Sequence, residues 1–336
     1  MCARASMRRV GRWIILVTLV GSGLVACSGG DAADDRPLVV TTVAPITSIV
    51  SNVVGDRARV VGVVPEGSNS HAFEPKPSVA KDLAKADLII MNGLQLEEPT
   101  KKLADSNKKK TTEVVELGAL TITPEQYIYD FSFPKEEGKP NPHLWTNPVM
   151  AKRYAEIVAE KMSGLDPGHA ADYAANLAAY SARLDGLDAA MRTAFATIPQ
   201  GQRRLLTYHD AYAYFAKEYG WTVIGAIQMS DFEDPTPKDV ARLIDQVKAS
   251  GVKAIFGSEV FPSPVLDQLS KEAGVAYVDD LRDDDLPGAP GDAEHSYLAL
   301  VRFDFATMTE ALGGDPLALQ QVDVSDLVPD RASYPQ

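Results

Sequence analysis

The sequence predicts an α/β protein of two βα lobes with mostly parallel sheets, joined by one long rigid α-helix. Short β-branched runs alternate with helical segments from residue 38 onward, and the alternation begins again near residue 203. Between these stretches lies one long segment with apolar residues on a single helical face. The chain has 336 residues, of which 45% are hydrophobic and 24% charged, a globular composition long enough for two domains.

The first 26 residues have the pattern of a lipoprotein signal peptide. Four arginines precede an apolar run, residues 13–20, that is too short for a stable membrane span. The run ends in Leu24-Val25-Ala26-Cys27, which resembles a bacterial lipobox and makes Cys27 the predicted lipidation site. Residues 27–37 are predicted to form a flexible tether. The protein is therefore expected at the extracytoplasmic face of the cell membrane, held there by a lipid anchor.

Alternating strands and helices define a predicted first lobe, residues 38–167. Its strands are predicted at residues 38–43, 57–64, 87–91 and 113–117. Its helices are predicted at residues 46–54, 78–86, 97–105 and about 147–162.

The linking helix is predicted within residues 168–199. Seven large apolar residues recur there at spacings of three or four: Tyr173, Leu177, Tyr180, Leu184, Leu187, Met191 and Phe195. The stripe predicts a helix of about 26 residues, or roughly 39 Å. It covers fewer than four heptads and lacks flanking charge pairs, which disfavours a coiled coil.

The second lobe, residues 200–320, repeats the alternation and is followed by a tail, residues 321–336. Its strands are predicted at residues 203–208, 221–227, 253–257 and 276–281, and its helices at 210–219, 237–250, 264–273 and 293–312. Two such lobes leave a cleft between them. Ligands of open α/β sheets lie beyond the carboxyl ends of the strands, so loops at those ends are candidate sites.

Charge and cysteine content exclude several functional classes. The net charge of −13, from 33 basic and 46 acidic residues, argues against a nucleic-acid partner. Both cysteines, Cys2 and Cys27, precede the first predicted strand, so the body of the chain has no disulfide or cysteine-built zinc site. The sequence also lacks His-Glu-x-x-His, Gly-x-Ser-x-Gly and P-loop motifs.

Three of the five histidines lie in loops beside strand ends or helix starts: His71, His143 and His209. Histidine is the commonest metal ligand, and loops at strand ends converge, although any one of these residues alone is more typical of a surface histidine. Asp210 is expected to cap the following helix. The other two histidines, His169 and His295, are interpreted as ordinary surface residues.

A fourth ligand is expected from the acidic loop at residues 279–286, which follows the last predicted strand of the second lobe. Such a run is usually a solvated loop. Spacing alone does not select one of its five aspartates.

Four motifs give the chain a family resemblance. They are Ser70-His71-Ala72-Phe73-Glu74-Pro75, Asn92-Gly93-Leu94-Gln95-Leu96-Glu97, Asn141-Pro142-His143-Leu144-Trp145 and His209-Asp210-Ala211-Tyr212-Ala213-Tyr214-Phe215. With these the sequence, from about residue 38 to 312, resembles the zinc/manganese solute-binding lipoproteins of ABC importers. The resemblance implies a monomeric, non-enzymatic protein. It would capture a divalent metal in the cleft between its lobes and deliver it to a membrane permease driven by an ATPase.

The resemblance also implies a ligand set of His71, His143, His209 and Asp284. Aspartate stands on both sides of Asp284, so Asp283 and Asp285 remain alternatives. Zn²⁺ is the expected metal and Mn²⁺ the alternative. A histidine at position 209, where manganese members often carry glutamate, favours zinc, whereas the lack of histidine in residues 127–142 mildly disfavours it.

Two other roles compete with metal capture. A secreted zinc hydrolase would need an open coordination position and a general base, for which Glu259 is the weak candidate. An adhesin role is sometimes ascribed to such lipoproteins, but the sequence contains no binding-module repeat.

Overall fold

Two four-stranded parallel β-sheets organise the chain in the computed structural model, which describes residues 34–228, 235–258 and 263–335. The predicted signal peptide, Cys27 and most of the tether lie outside the described residues, and so does Glu259. Arg36–Gln336 forms one unit. None of the helices in the described ranges is both long and apolar enough to span a bilayer.

The first lobe is built on a sheet in the order β2-β1-β3-β4. Its strands are β1 (Leu38–Thr41), β2 (Arg59–Gly62), β3 (Leu88–Met91) and β4 (Glu113–Glu116). Its helices are α1 (Ala44–Val54), α2 (Val79–Lys85), α3 (Glu98–Asn107), α4 (Leu117–Thr121) and α5 (Pro148–Leu165). The central strands β1 and β3 are buried along their whole length, which is why they consist of apolar and β-branched residues almost throughout.

One helix of 27 residues, α6 (Ala170–Ala196), connects the lobes and confirms the predicted linking helix. Six of the seven stripe residues are buried, and Leu177 is partly buried against the same core. Near its start, Asn176 donates a hydrogen bond to the Val53 carbonyl of α1. Near its end, the Phe195 ring packs on Phe215 and Trp221 of the second lobe. The stripe therefore packs on both lobes.

The second lobe repeats the strand order of the first, as β6-β5-β7-β8. Its strands are β5 (Arg204–Thr207), β6 (Thr222–Ala226), β7 (Ala254–Ser258) and β8 (Ala276–Leu281). Its helices are α7 (Ala213–Tyr219), α8 (Pro237–Ser250), α9 (Pro264–Ala273), α10 (Tyr297–Ala311) and α11 (Leu317–Gln320).

The hydrophobic core is continuous between the lobes. One large cluster of buried side chains runs from the first sheet through α5 and α6 to α7 and α10. A smaller cluster lies in the second lobe under α8 and α9 and includes Leu206, Leu243 and Ile255. The fold class predicted from the sequence is confirmed, while the domain boundaries remain predictions.

Two helices of the second lobe, α7 and α10, begin three or four residues later than predicted. Ser296 caps α10, its side chain accepting a hydrogen bond from the Ala299 amide. In α7 the N-cap position is held by Tyr212, so the expectation that Asp210 caps this helix is wrong. Asp210 instead turns into the protein interior, with 1% of its surface exposed.

Alanine substitutions at two neighbouring positions of α6 should change the stability of the protein in opposite directions. Gly186 is exposed, and an added Cβ would meet no atom within 4 Å. Gly186→Ala should therefore raise the free energy of unfolding by about 0.5–1 kcal/mol, since alanine is the better helix former. Leu187→Ala should lower it by about 2–5 kcal/mol because the buried side chain leaves a cavity. Urea unfolding measures both. A destabilising Gly186→Ala would show that α6 does not have this exposed face.

Candidate metal centre

Four loops, two from each lobe, bring the predicted site residues together. His71 follows β2, His143 precedes α5, His209 follows β5 and Asp284 follows β8. One donor atom from each lies within 4.8 Å of the others. His143 Nε2 lies 3.0 Å from His71 Nε2 and 2.9 Å from His209 Nε2. Within the described parts of the chain, this is the one group of three or more His, Cys, Asp or Glu side chains close enough to hold a metal ion.

The His143 ring is oriented by Asn141. Asn141 Oδ1 lies 2.8 Å from His143 Nδ1 and also accepts a hydrogen bond from the His143 amide. The Asn141 amide group donates to Asp130 Oδ2 and to the Asp210 carbonyl, which fixes its orientation. His143 Nδ1 must then be the protonated nitrogen, so Nε2 carries a lone pair directed at the other two histidines.

His209 is held in the same way from the second lobe. Its Nδ1 lies 2.7 Å from Gln228 Oε1, on the segment that follows β6. In the tautomer that satisfies this contact, His209 Nε2 is also unprotonated and faces His143 Nε2. Two lone pairs 2.9 Å apart repel each other unless a proton or a cation lies between them. The donor set therefore fits a metal cation.

Asp284 supplies the oxygen of the group. It is 2% exposed, and its Oδ2 accepts a hydrogen bond of 2.5 Å from Ser70 Oγ. Its Oδ1 is buried and has no hydrogen-bond partner among the described residues. The neighbouring Asp283 accepts from the Tyr212 hydroxyl, and Asp285 accepts from the Gly67 amide. The geometry thus favours Asp284 over both of its neighbours as a metal ligand.

Burial sets the charge state of the site. Burial lowers the pKa of His71 and of His143 well below the usual value, and the nearby His209 adds to the effect in both. Both rings are therefore neutral at pH 7, the form that binds a metal. Burial also raises the pKa of Asp284, opposed by His209 and by the Ser70 hydrogen bond. A bound cation would compensate this buried carboxylate.

The sequence did not predict the two residues that orient the histidine rings, Asn141 and Gln228. Asn141 stands in the motif that contains His143, but nothing in the sequence marks Gln228. Asp210 pairs with the partly buried carboxyl group of Asp130 and accepts a 2.9 Å hydrogen bond from the Ser132 amide. Burial, together with the charge of Asp210, raises the pKa of Asp130 to about 9, so Asp130 keeps its proton at pH 7.

The two remaining histidines differ from each other. His169 is partly exposed and pairs with Asp166 at 2.7 Å, as a surface histidine would. The same expectation for His295 is wrong, because this residue is 2% exposed. Its Nε2 lies 2.9 Å from Glu66 Oε1, and the Tyr334 ring of the C-terminal tail packs against it at 4.6 Å. His295 therefore helps to hold the loop that precedes His71.

Behind the site lies a group of two buried carboxyl groups and one phenol. The Tyr212 hydroxyl lies 2.5 Å from Asp283 Oδ1 and 3.0 Å from Asp304 Oδ2. One hydroxyl proton cannot serve both contacts, so a carboxyl group must carry a second proton. Burial, reinforced by the charge of Asp283, raises the pKa of Asp304 to about 8.

Comparison with known proteins places the chain among transport proteins. The family model described as ZnuA, "Zinc-uptake complex component A periplasmic", matches residues 39–311. The iron-binding protein YfeA of Yersinia pestis is 30% identical over 275 residues, covering 82% of this chain and 86% of YfeA. The manganese-binding lipoprotein MntA of Halalkalibacterium halodurans is 28% identical over 301 residues, 89% of this chain and 96% of MntA. The solved structure of the periplasmic zinc binding protein TroA from Treponema pallidum matches with a TM-score of 0.74 and 26% identity, over 82% of this chain and 99% of TroA.

Asp304 should make the stability of the protein depend on pH. Between about pH 4 and pH 8 the folded chain keeps a proton on Asp304 that the unfolded chain releases, so this group's contribution to stability falls as pH rises. Asp304→Asn removes that titration. From pH 5 to pH 8 the free energy of unfolding of the variant, relative to wild type, should rise by at least about 1 kcal/mol in urea titrations of metal-free protein.

The matched control is Asp323→Asn. Asp323 is exposed, and its hydrogen bonds to Ser325 and Arg183 lower its pKa to about 2, so it stays ionised over the whole range. Its stability difference from wild type should be flat between pH 5 and pH 8. A flat difference for Asp304→Asn as well would show that Asp304 is ionised in the folded protein.

Proposed function

Because the chain belongs to the ZnuA family of periplasmic metal-uptake components, we propose that it captures one Zn²⁺ ion between its lobes for delivery to an ABC permease. Members of this family are solute-binding proteins of transporters and not enzymes, and the chain is a metal-binding protein of that kind. We further propose which metal the protein binds, which residues ligate it and that the protein is anchored to the membrane.

The observation that carries the proposal is the grouping of His71, His143, His209 and Asp284 within 4.8 Å, from both lobes. Three imidazole nitrogens and one carboxylate oxygen form a set that suits tetrahedral Zn²⁺, with bonds of about 2.0–2.1 Å. Four protein ligands fill that geometry and leave no position for an activated water. The arrangement therefore suits binding and delivery better than hydrolysis.

The choice of zinc rests on the donor atoms. Mn²⁺ prefers more oxygen ligands and higher coordination, which Asp284 could help to supply only by binding through both of its oxygens. Its Oδ2 accepts a hydrogen bond from Ser70, whereas Oδ1 has no hydrogen-bond partner among the described residues, which favours ligation through Oδ1 alone. Relatives do not decide the question, since YfeA, MntA and TroA are named for iron, manganese and zinc respectively.

The rest of the proposal concerns how the protein is organised for transport. We propose cleavage after residue 26 and lipidation of Cys27, in line with the name of MntA as a lipoprotein. The lobes would span residues 38–167 and 200–320, with the linking helix at 168–199. The anchored monomer would work on the extracytoplasmic face of the membrane, passing its ion to a permease driven by an ATPase.

The metal can be identified directly. Elemental analysis of protein purified without added metal should find about one zinc per chain. In competition titrations, Zn²⁺ should displace bound Mn²⁺, because imidazole-rich sites bind zinc more tightly. If Mn²⁺ displaced Zn²⁺ instead, the zinc assignment would fail, and if no divalent metal bound at all, the whole proposal would fail.

The ligands can be tested by substitution. His71→Ala and His209→Ala should each weaken Zn²⁺ binding by at least about 100-fold, since each removes one of four donors. Circular dichroism should stay close to wild type because both histidines lie in loops, outside the helices and strands. His169→Ala is the control, since its ring lies on the surface beside Asp166. Wild-type affinity in both ligand variants would refute the assignment.

A further inference from the structure

One segment of the first lobe reaches across the cleft. We call residues 127–142, which connect α4 to α5, the strap. The strap carries Asn141, which orients His143, but many of its other polar contacts are with the second lobe. Its Ile128 amide donates to the Tyr214 hydroxyl, and Asn141 donates to the Asp210 carbonyl.

The central contact of the strap is made by Ser132, which is 3% exposed. Its amide donates to Asp210 Oδ2 at 2.9 Å, and its hydroxyl donates to the Gln228 carbonyl at 2.5 Å. Asp210 is the chain neighbour of His209, and Gln228 holds His209 Nδ1. Ser132 is thus bonded to the residue that follows His209 and to the residue that holds the His209 ring, although it belongs to the opposite lobe.

The strap also covers the site. The Phe133 ring lies 5.6 Å from the His71 ring and 5.7 Å from the His143 ring. Phe133, Ser132 and Leu94 line a cavity of about 60 Å³ that reaches His71. His71 is the one partly exposed member of the four-residue group. An ion leaving on this side of the site must therefore pass the strap.

We propose that the strap is a latch on the metal site, in which Ser132 is a positioning residue that slows release of the bound ion. This inference rests on the proposed function. Because the two partners of Ser132 lie in the second lobe, the cleft cannot open without breaking both hydrogen bonds. Breaking them also frees Gln228, which holds the His209 ring, so opening of the cleft and weakening of the site occur together.

Ser132→Ala tests the latch in the full chain loaded with Zn²⁺. Stopped-flow mixing with excess chelator should show Zn²⁺ leaving about tenfold faster than from wild type, while the association rate stays within about twofold. Tenfold corresponds to about 1.4 kcal/mol, within the range for one buried hydrogen bond. The melting temperature of the metal-free protein should change no more than in the control, since the contact belongs to the closed arrangement.

The control is Ser51→Ala, which removes a buried hydroxyl that bonds only within α1, to the Thr47 carbonyl. Its release rate should match wild type. Tyr214→Phe is a second, milder test, because it removes the acceptor of the Ile128 amide, whose bond is longer at 3.2 Å. It should speed release about threefold.

The outcomes separate the two proposals. If wild type binds Zn²⁺ and neither Ser132→Ala nor Tyr214→Phe speeds its release beyond the Ser51→Ala control, the latch is refuted and the proposed function stands. Slower association with unchanged release would also refute the latch. If wild type binds no Zn²⁺, the proposed function itself is refuted.

Discussion

The arrangement around the cleft depends on one constraint, which is that the imidazole rings of His143 and His209 face each other where little solvent reaches. His143 and His209 are each bonded through Nδ1 to an amide oxygen, so their Nε2 lone pairs meet across 2.9 Å. Burial lowers the pKa of His143, which disfavours a proton on its Nε2. A metal cation would satisfy both lone pairs and the nearby Asp284 carboxylate at once. The amide groups, Ser70 and the strap all help to keep these donors in place.

The topology explains how such distant residues meet. Both sheets are parallel and have the same strand order, so the loops after their strands lie along one edge of each sheet. The loops after β2, β5 and β8 supply His71, His209 and Asp284. The helix α6 packs against both lobes and fixes these two edges opposite each other. The site is therefore a product of the whole chain and not of one motif.

Much of the fold could be predicted because its signals are local. The predicted bounds of α8 and α9 are those observed, since each helix begins at a proline and ends before a glycine in the left-handed conformation. The four candidate residues came from motifs beside strand ends and from family resemblance. By contrast, Gln228 and Ser132 lie on irregular segments whose path is set by packing between the lobes. No periodicity marks them.

The two wrong predictions, for Asp210 and His295, also arise from packing between distant parts of the chain. Asp210 has the local preference of a helix cap, but its carboxyl group is drawn inward by Asp130 and the Ser132 amide. His295 has the sequence surroundings of an exposed residue, but the C-terminal tail covers it. In both cases a contact between residues far apart in sequence overrides a local preference, and one sequence alone does not reveal such contacts.

The four proposed ligands are buried to different extents, so an ion bound by them would exchange from one side of the site. His143, His209 and Asp284 are enclosed, whereas the ring of His71 borders the small cavity under the strap. An incoming donor atom, whether from water, a chelator or a receiving protein, therefore approaches the ion most easily beside His71. Replacement of this one nitrogen would be the first step of a stepwise transfer, with the three enclosed ligands detaching afterwards.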